Sequence, residues 1–337
     1  MKSNKVRAAF ALVLAGTLAA CAVPVPEFTP PPEETQVYPV LDESRLDRVL
    51  AAVNDTLAEA DADADKEELT PRVSGRAAQM RGWEYSLAKA TKKAELEDPY
   101  TPQPLATDPA VAIIAATDDW PRQVMVITDP PEDGNIPLLL ALQQESPRDQ
   151  YSLQGWARLL PGVTTPQTDA AASGSEQLAP DSEGLILTPE ETVKAYADVL
   201  NKGKDSKHAK KFAEDEYRSL LNEEKKALSE SLEVAGKVTQ ETKQAGPTYA
   251  LSTFDGGAIV LSGMTTEQKY EKTVRQAKMK VGSLVAAKND GNSEVDSTLT
   301  AVYQHMVAFY VPAEDSEDKI DVLGAERVLS SVKQPEE

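Results

Sequence analysis

The sequence has little of what most enzymes use for chemistry. One cysteine and two histidines occur among 337 residues. A zinc site draws three or four ligands from His, Cys and carboxylates, and the chain supplies too few of the first two. No G-x-S-x-G turn presents a serine nucleophile, and no glycine-rich phosphate loop is present. A single cysteine excludes an intramolecular disulfide. Long apolar runs are missing as well. The uncharged stretch Ala8 to Ala20 has 13 residues, against the roughly 20 that a permanent helix needs to cross about 30 Å of hydrocarbon. Basic charge is in deficit: 35 Lys and Arg against 55 Asp and Glu give a net −20. That balance argues against nucleic acid as a partner.

What is present begins at the N-terminus. Lys2, Lys5 and Arg7 precede the Ala8 to Ala20 stretch, the pattern of a secretory signal peptide over residues 1–20. Leu18-Ala19-Ala20-Cys21 resembles the lipobox of bacterial lipoproteins, in which the cysteine sulfur carries a diacylglycerol. The competing reading makes Cys21 the last residue of an ordinary apolar stretch, but the only thiol of an exported chain sits where lipid would be added. Lipidation at Cys21 implies an anchor in the bilayer on the outer face of the cytoplasmic membrane, each buried CH₂ contributing about 0.8 kcal/mol. Loss of the three basic residues, with no acid lost, takes the mature charge from −20 to −23.

Residues 21–40 form a tether. Six prolines fall between Pro24 and Pro39, which suits an extended polyproline stalk about 50 Å long; a ligand for a proline-recognition domain is the alternative. Residues 164–184 are small, polar and broken by proline, a linker. The rest divides into a first lobe, 41–163, and a second, 185–332, with a tail at 333–337.

The two lobes share a pattern. Leu46, Val49, Leu50, Val53 and Leu57 form an apolar helical stripe that Val193, Tyr196, Ala197 and Leu200 repeat 147 positions later. Thr188, Pro189 and Glu191 supply an N-cap, an N1 proline and a capping-box glutamate. At a similar offset, 111–115 pairs with 258–262, 136–145 with 282–290, and 151–161 with 302–312. Each lobe then reads as a helix, a second helical or irregular segment (67–93 and 206–243), and four strands. Those strands are expected at 111–117, 122–128, 136–144 and 151–160, then at 248–254, 257–268, 279–288 and 299–311. Turns at Asp255-Gly256-Gly257 and Glu132-Asp133-Gly134-Asn135 imply antiparallel hairpins. The fold class is α+β: two tandem lobes, each with N-terminal helices packed on a curved antiparallel sheet.

Each lobe resembles a cystatin-like or NTF2-like cone. The chain also resembles a family of actinobacterial lipoproteins carrying a domain of unknown function, through Arg72-Val73-Ser74-Gly75-Arg76-Ala77, Arg81, Glu84-Tyr85, Phe212-Ala213-Glu214-Asp215-Glu216-Tyr217-Arg218 and Gly256-Gly257-Ala258-Ile259-Val260. The resemblance implies no reaction.

Candidates for chemistry are few. His208 lies in a charged, solvated helix start, and His305 reads as a structural strand histidine. Asp61, Asp63 and Asp65 begin like a calcium loop, but Lys66 stands where the turn needs glycine and Arg72 where a bidentate glutamate belongs. Glu84 with Tyr85, and Asp118 with Asp119, are the remaining acid–base candidates. No catalytic residue, metal or cofactor is expected. Lys202, Lys204, Lys207, Lys210 and Lys211 form a basic patch, read either as a solvated face or as a contact for an anionic partner. The expected function is a lipid-anchored, non-enzymatic binding or scaffolding module for an envelope protein partner or ligand; the alternative is an envelope hydrolase using carboxylates inside one cone.

Overall fold

In the first half of the fold, helix α1 (Glu43–Asp63) is capped by Asp42, whose carboxylate accepts from Arg45 N at 2.8 Å. Its expected stripe is the buried one: Leu46, Leu50, Val53 and Leu57 lie in the core, each contributing about 1.5–3 kcal/mol on burial. A 3₁₀ turn at Lys66–Leu69 leads to α2 (Gly75–Lys93). Four antiparallel strands follow, β1 (Pro109–Ala116), β2 (Arg122–Thr128), β3 (Leu138–Gln144) and β4 (Ser152–Leu159), close to the expected positions. The computed structural model describes residues 37–130 and 136–334. The stretch expected as a signal peptide, Cys21, most of the expected tether, the expected turn at 132–135 and the end of the tail lie outside the described residues.

The second half repeats this order. Helix α3 (Pro189–Lys202) opens with the expected capping box of Thr188 and Glu191 and with Pro189 at N1. Helix α4 (Glu216–Leu232) is capped by Asp215. Numbering the strands after the short β5 (Ser175–Glu176), the second half contributes β6 (Gly236–Ser252), β7 (Ala258–Lys272), β8 (Thr298–Val311) and β9 (Asp321–Lys333). A short helix α5 (Ser283–Lys288) occupies the place expected for a strand at 279–288; a brief apolar run fits either element, and Gly282 at its N-cap starts a helical turn. Residues 236–243, expected as the end of a helical or irregular segment, belong to the first part of β6, and β9 was not expected.

All strands join one sheet in the order β5-β1-β2-β3-β4-β9-β8-β7-β6. Apart from β5, which is parallel to β1, neighbours are antiparallel, so the fold is α+β with a large open sheet. The strand order mirrors about the seam between β4 and β9. There Arg158 stands opposite Ala325 and Leu159 opposite Gly324. Gly324 is required, since a Cβ at that position would lie 2.6 Å from the Arg158 carbonyl oxygen.

The halves do not separate into two bodies. Residues from Val37 on form one compact unit. Alternate residues of β7 and β8 explain this: Ile259, Leu261, Met306 and Ala308 join a core with Leu46, Val53, Leu140 and Trp156 of the first half. Val260, Met264, Val307 and Phe309 face the other way and pack with Val193 and Tyr196 of α3. Both faces of these strands are covered, so their sequences run apolar without alternation. The stretch expected as a linker is fastened as well. Gln177 accepts from Gln123 N at 2.9 Å and donates to the Pro121 carbonyl at 2.8 Å, while Glu176 N donates to Ser252 Oγ at 2.8 Å.

The sheet also corrects the repeat register. By position, β1 corresponds to β6, β2 to β7, β3 to β8 and β4 to β9. The paired runs set β1 against β7 and residues 136–145 against α5, which misses by a strand, because short apolar runs resemble one another wherever both faces are buried. No helix among the described residues is long and apolar enough to cross a membrane.

Candidate functional site

Among the described residues, three of the places that bring polar side chains together bear on the candidate site. The first is a buried ionic network within the first half. Arg81, 1% exposed, donates to Asp61 Oδ1 at 2.8 Å through Nε and to Glu84 Oε2 at 2.7 Å through Nη1. Tyr85 donates to Asp61 and Tyr100 to Glu84, at 2.5 and 3.2 Å. Burial pushes the Glu84 carboxyl upward, Arg81 opposes this, and nearby Glu326 adds to it. Asp61, the first residue of the calcium-like run, is thereby turned into the fold. Glu84 and Tyr85, the acid–base candidates, are engaged in holding it together.

The second place surrounds His305, on β8 between the sheet and α4. Its Nδ1 lies 2.5 Å from the Tyr217 hydroxyl, and its Nε2, buried, has no partner among the described residues. Burial, helped by Arg327 and Arg76, pulls its pKa down to about 3, so the ring is neutral. The adjoining cavity, with Gln240, Thr242, Thr266 and Gln268 in its wall, measures about 20 Å³. That space admits one water and no substrate.

The third place is open. A groove of about 490 Å³ is lined by Arg45, Arg48, Arg72, Trp120, Arg122 and Tyr151. Arg45 and Arg48 stand three apart in the first turns of α1 and so share a face. Arg72 comes from the segment before α2, Trp120 from the β1–β2 turn, Arg122 from the first residue of β2, and Tyr151 from the residue before β4. The Arg122 guanidinium stacks 4.3 Å from the Trp120 ring centre, and Arg72 Nη1 donates to the Tyr151 carbonyl at 3.2 Å. Arg48 donates to Ser44 Oγ at 3.0 Å. Arg45 alone has a carboxylate partner, Asp42 at 3.3 Å; Arg48, Arg72 and Arg122 have none among the described residues. The Tyr151 side chain is buried, its hydroxyl lacks a hydrogen-bond partner among the described residues, and Arg122 Nε is in the same condition. Burial raises the Tyr151 hydroxyl to about 12, so it keeps its proton as a donor.

The basic patch expected from the sequence lies elsewhere. Lys202, Lys204, Lys207, Lys210 and Lys211 are exposed at the end of α3 and on two 3₁₀ turns. Lys202 is 2.6 Å from Asp198, and Lys211 donates to the Ile186 carbonyl at 2.9 Å. Asp118 and Asp119 are exposed in the β1–β2 turn. Among the described residues no group of three His, Cys, Asp or Glu is placed to hold a metal. The arginine groove had no sequence signal: its members lie up to 77 positions apart, from Arg45 to Arg122, and Arg45 and Arg48 are interleaved with Asp42, Glu43 and Asp47.

Fold and groove together define an α+β protein whose acidic body carries one arginine-lined cleft. The chain belongs to the family described as Domain of unknown function (DUF8094), whose model matches residues 37–332. No curated protein and no solved structure matches it.

Proposed function

We propose that this chain is a lipid-anchored protein of the cell envelope that works as a non-enzymatic binding module, docking an envelope partner or ligand in the arginine groove. In this reading Cys21 holds the protein on the outer face of the cytoplasmic membrane and the proline-rich tether lifts the folded part clear of it. Each half is a variant of an NTF2-like cone produced by tandem duplication; the recurrence of two helices and four antiparallel strands supports this. The observation that carries the binding role is the groove itself. It is of ligand size, and three of its four arginines, Arg48, Arg72 and Arg122, have no carboxylate partner among the described residues. Of the carboxylates a hydrolase would use, Glu84 is engaged by Arg81 and Tyr100, and Asp118 and Asp119 face solvent in a turn.

The test is photo-crosslinking in intact cells. A photoreactive residue at Gln150, exposed on the groove rim, should capture one recurrent species, whereas the same residue at Leu220, exposed on α4, should not. Identical capture from both positions, or none from Gln150, refutes the assignment.

A further inference from the structure

The groove can be read further, on the assumption that it is the binding surface. We propose that it takes a small organic ligand carrying oxyanions, a carboxylate or phosphate compound. Its wall presents four arginines against one carboxylate, Asp149, and with Arg45 paired to Asp42 a local excess of two positive charges remains in a chain whose net charge is −20. A purely architectural cluster would pair these cations with the acids the chain has in plenty. Arg158 with Glu326 and Arg81 with Glu84 show this protein doing so elsewhere. In the groove Arg48, Arg72 and Arg122 are left to repel one another, and an incoming anion relieves that repulsion.

The donors suit an oxyanion in geometry as well as charge. A guanidinium presents a planar fork of N–H groups that matches the two oxygens of a carboxylate or phosphate. Stacking on Trp120 holds the Arg122 plane and leaves its edge to donate. The unpartnered Tyr151 hydroxyl and Arg122 Nε add donors already stripped of water and without an internal acceptor. A volume of about 490 Å³ falls within the range of small-molecule sites.

The experiment is isothermal titration of the purified full-length protein with citrate, with inorganic pyrophosphate and with glucose, repeated on Arg48→Gln, Arg122→Gln and, as a control, Arg275→Gln, an exposed arginine elsewhere. Saturable binding of at least one anion, absent for glucose, is expected. Each groove substitution should weaken it about tenfold or more, as for loss of one charged hydrogen bond, with Arg275→Gln unchanged. Binding of citrate alone assigns a carboxylate ligand, and of pyrophosphate alone a phosphate ligand. Absence of saturable binding for both, or binding that survives both groove substitutions, overturns the proposal. If Gln150 still captures a species in cells that neither anion displaces, the ligand class is wrong while the groove remains the binding surface.

Discussion

The Arg158 guanidinium meets the Glu326 carboxylate at 3.0 Å across the seam between β4 and β9, with both side chains nearly out of solvent at 13% and 14% exposure. Trp156 adds a hydrogen bond to the same carboxylate at 3.2 Å. The seam has only two registered residue pairs, Arg158 with Ala325 and Leu159 with Gly324. Ionic contacts therefore reinforce the place where the backbone ladder between the halves is shortest.

Removal of Arg158 should consequently act on the whole protein. Burial already pushes Glu326 upward, with Arg158 opposing it. Arg158→Ala leaves a carboxylate without its cation, which typically costs about 3–5 kcal/mol for a buried pair. Urea unfolding should show a lower midpoint and still a single transition, because the core is shared. Two resolved transitions, or a loss below about 1 kcal/mol, contradicts this account of the seam.

His305 supplies a dependence on pH with a definite sign. Its folded pKa, about 3, lies below the ordinary 6.5. Between those values the unfolded chain binds the proton and the folded chain does not, so the contribution is present above about pH 6.5 and lost as pH falls. The slope from this one group is about 1.4 kcal/mol per pH unit. Glu84 and Glu326, both raised, work in the opposite sense and lose stability as pH rises. They are unchanged in His305→Gln, so subtracting the stability curves isolates the histidine between about pH 5 and 6.5. Parallel curves for the two proteins across that window would show that His305 is charged in the fold.

The proposed anchor is testable without reference to the fold. Cys21→Ala should move the protein from the membrane fraction to the soluble extracytoplasmic fraction, since no helix among the described residues provides another span. Retention of the variant on membranes would place the attachment elsewhere.

Elements that bury one face against a plain apolar core were legible in the sequence. Helix α1 shows it through Leu46, Leu50, Val53 and Leu57, and α3 through its capping box. Strands β1 to β4 show it through compact apolar runs between turns. The first part of β6 was not legible because the residues it turns toward the helices, Gln240 and Thr242, are polar and line the small cavity beside His305. In β9 the apolar pattern is interrupted by Glu326 and Arg327, which are satisfied by Arg158 and by Glu224 at 2.8 Å. Partners that distant in sequence leave no periodic mark. The candidate site suffered the same way: five lysines clustered within ten residues drew attention, while Arg45, Arg48, Arg72 and Arg122 did not.

Local chemistry therefore determined what the sequence by itself determines here: an acidic chain with one thiol at Cys21, helix starts set by Asp42 and Thr188, and an α+β alternation of elements. These follow from charge, capping and hydrophobic period, which act over a few residues. The tertiary structure decided the rest. It joined two halves in one sheet through Gly324 and Arg158, turned Asp61 and Glu84 inward onto Arg81, and gathered four arginines around Tyr151. Those outcomes depend on which distant side chains share a low-dielectric space, and that is set by packing between elements rather than by neighbours along the chain.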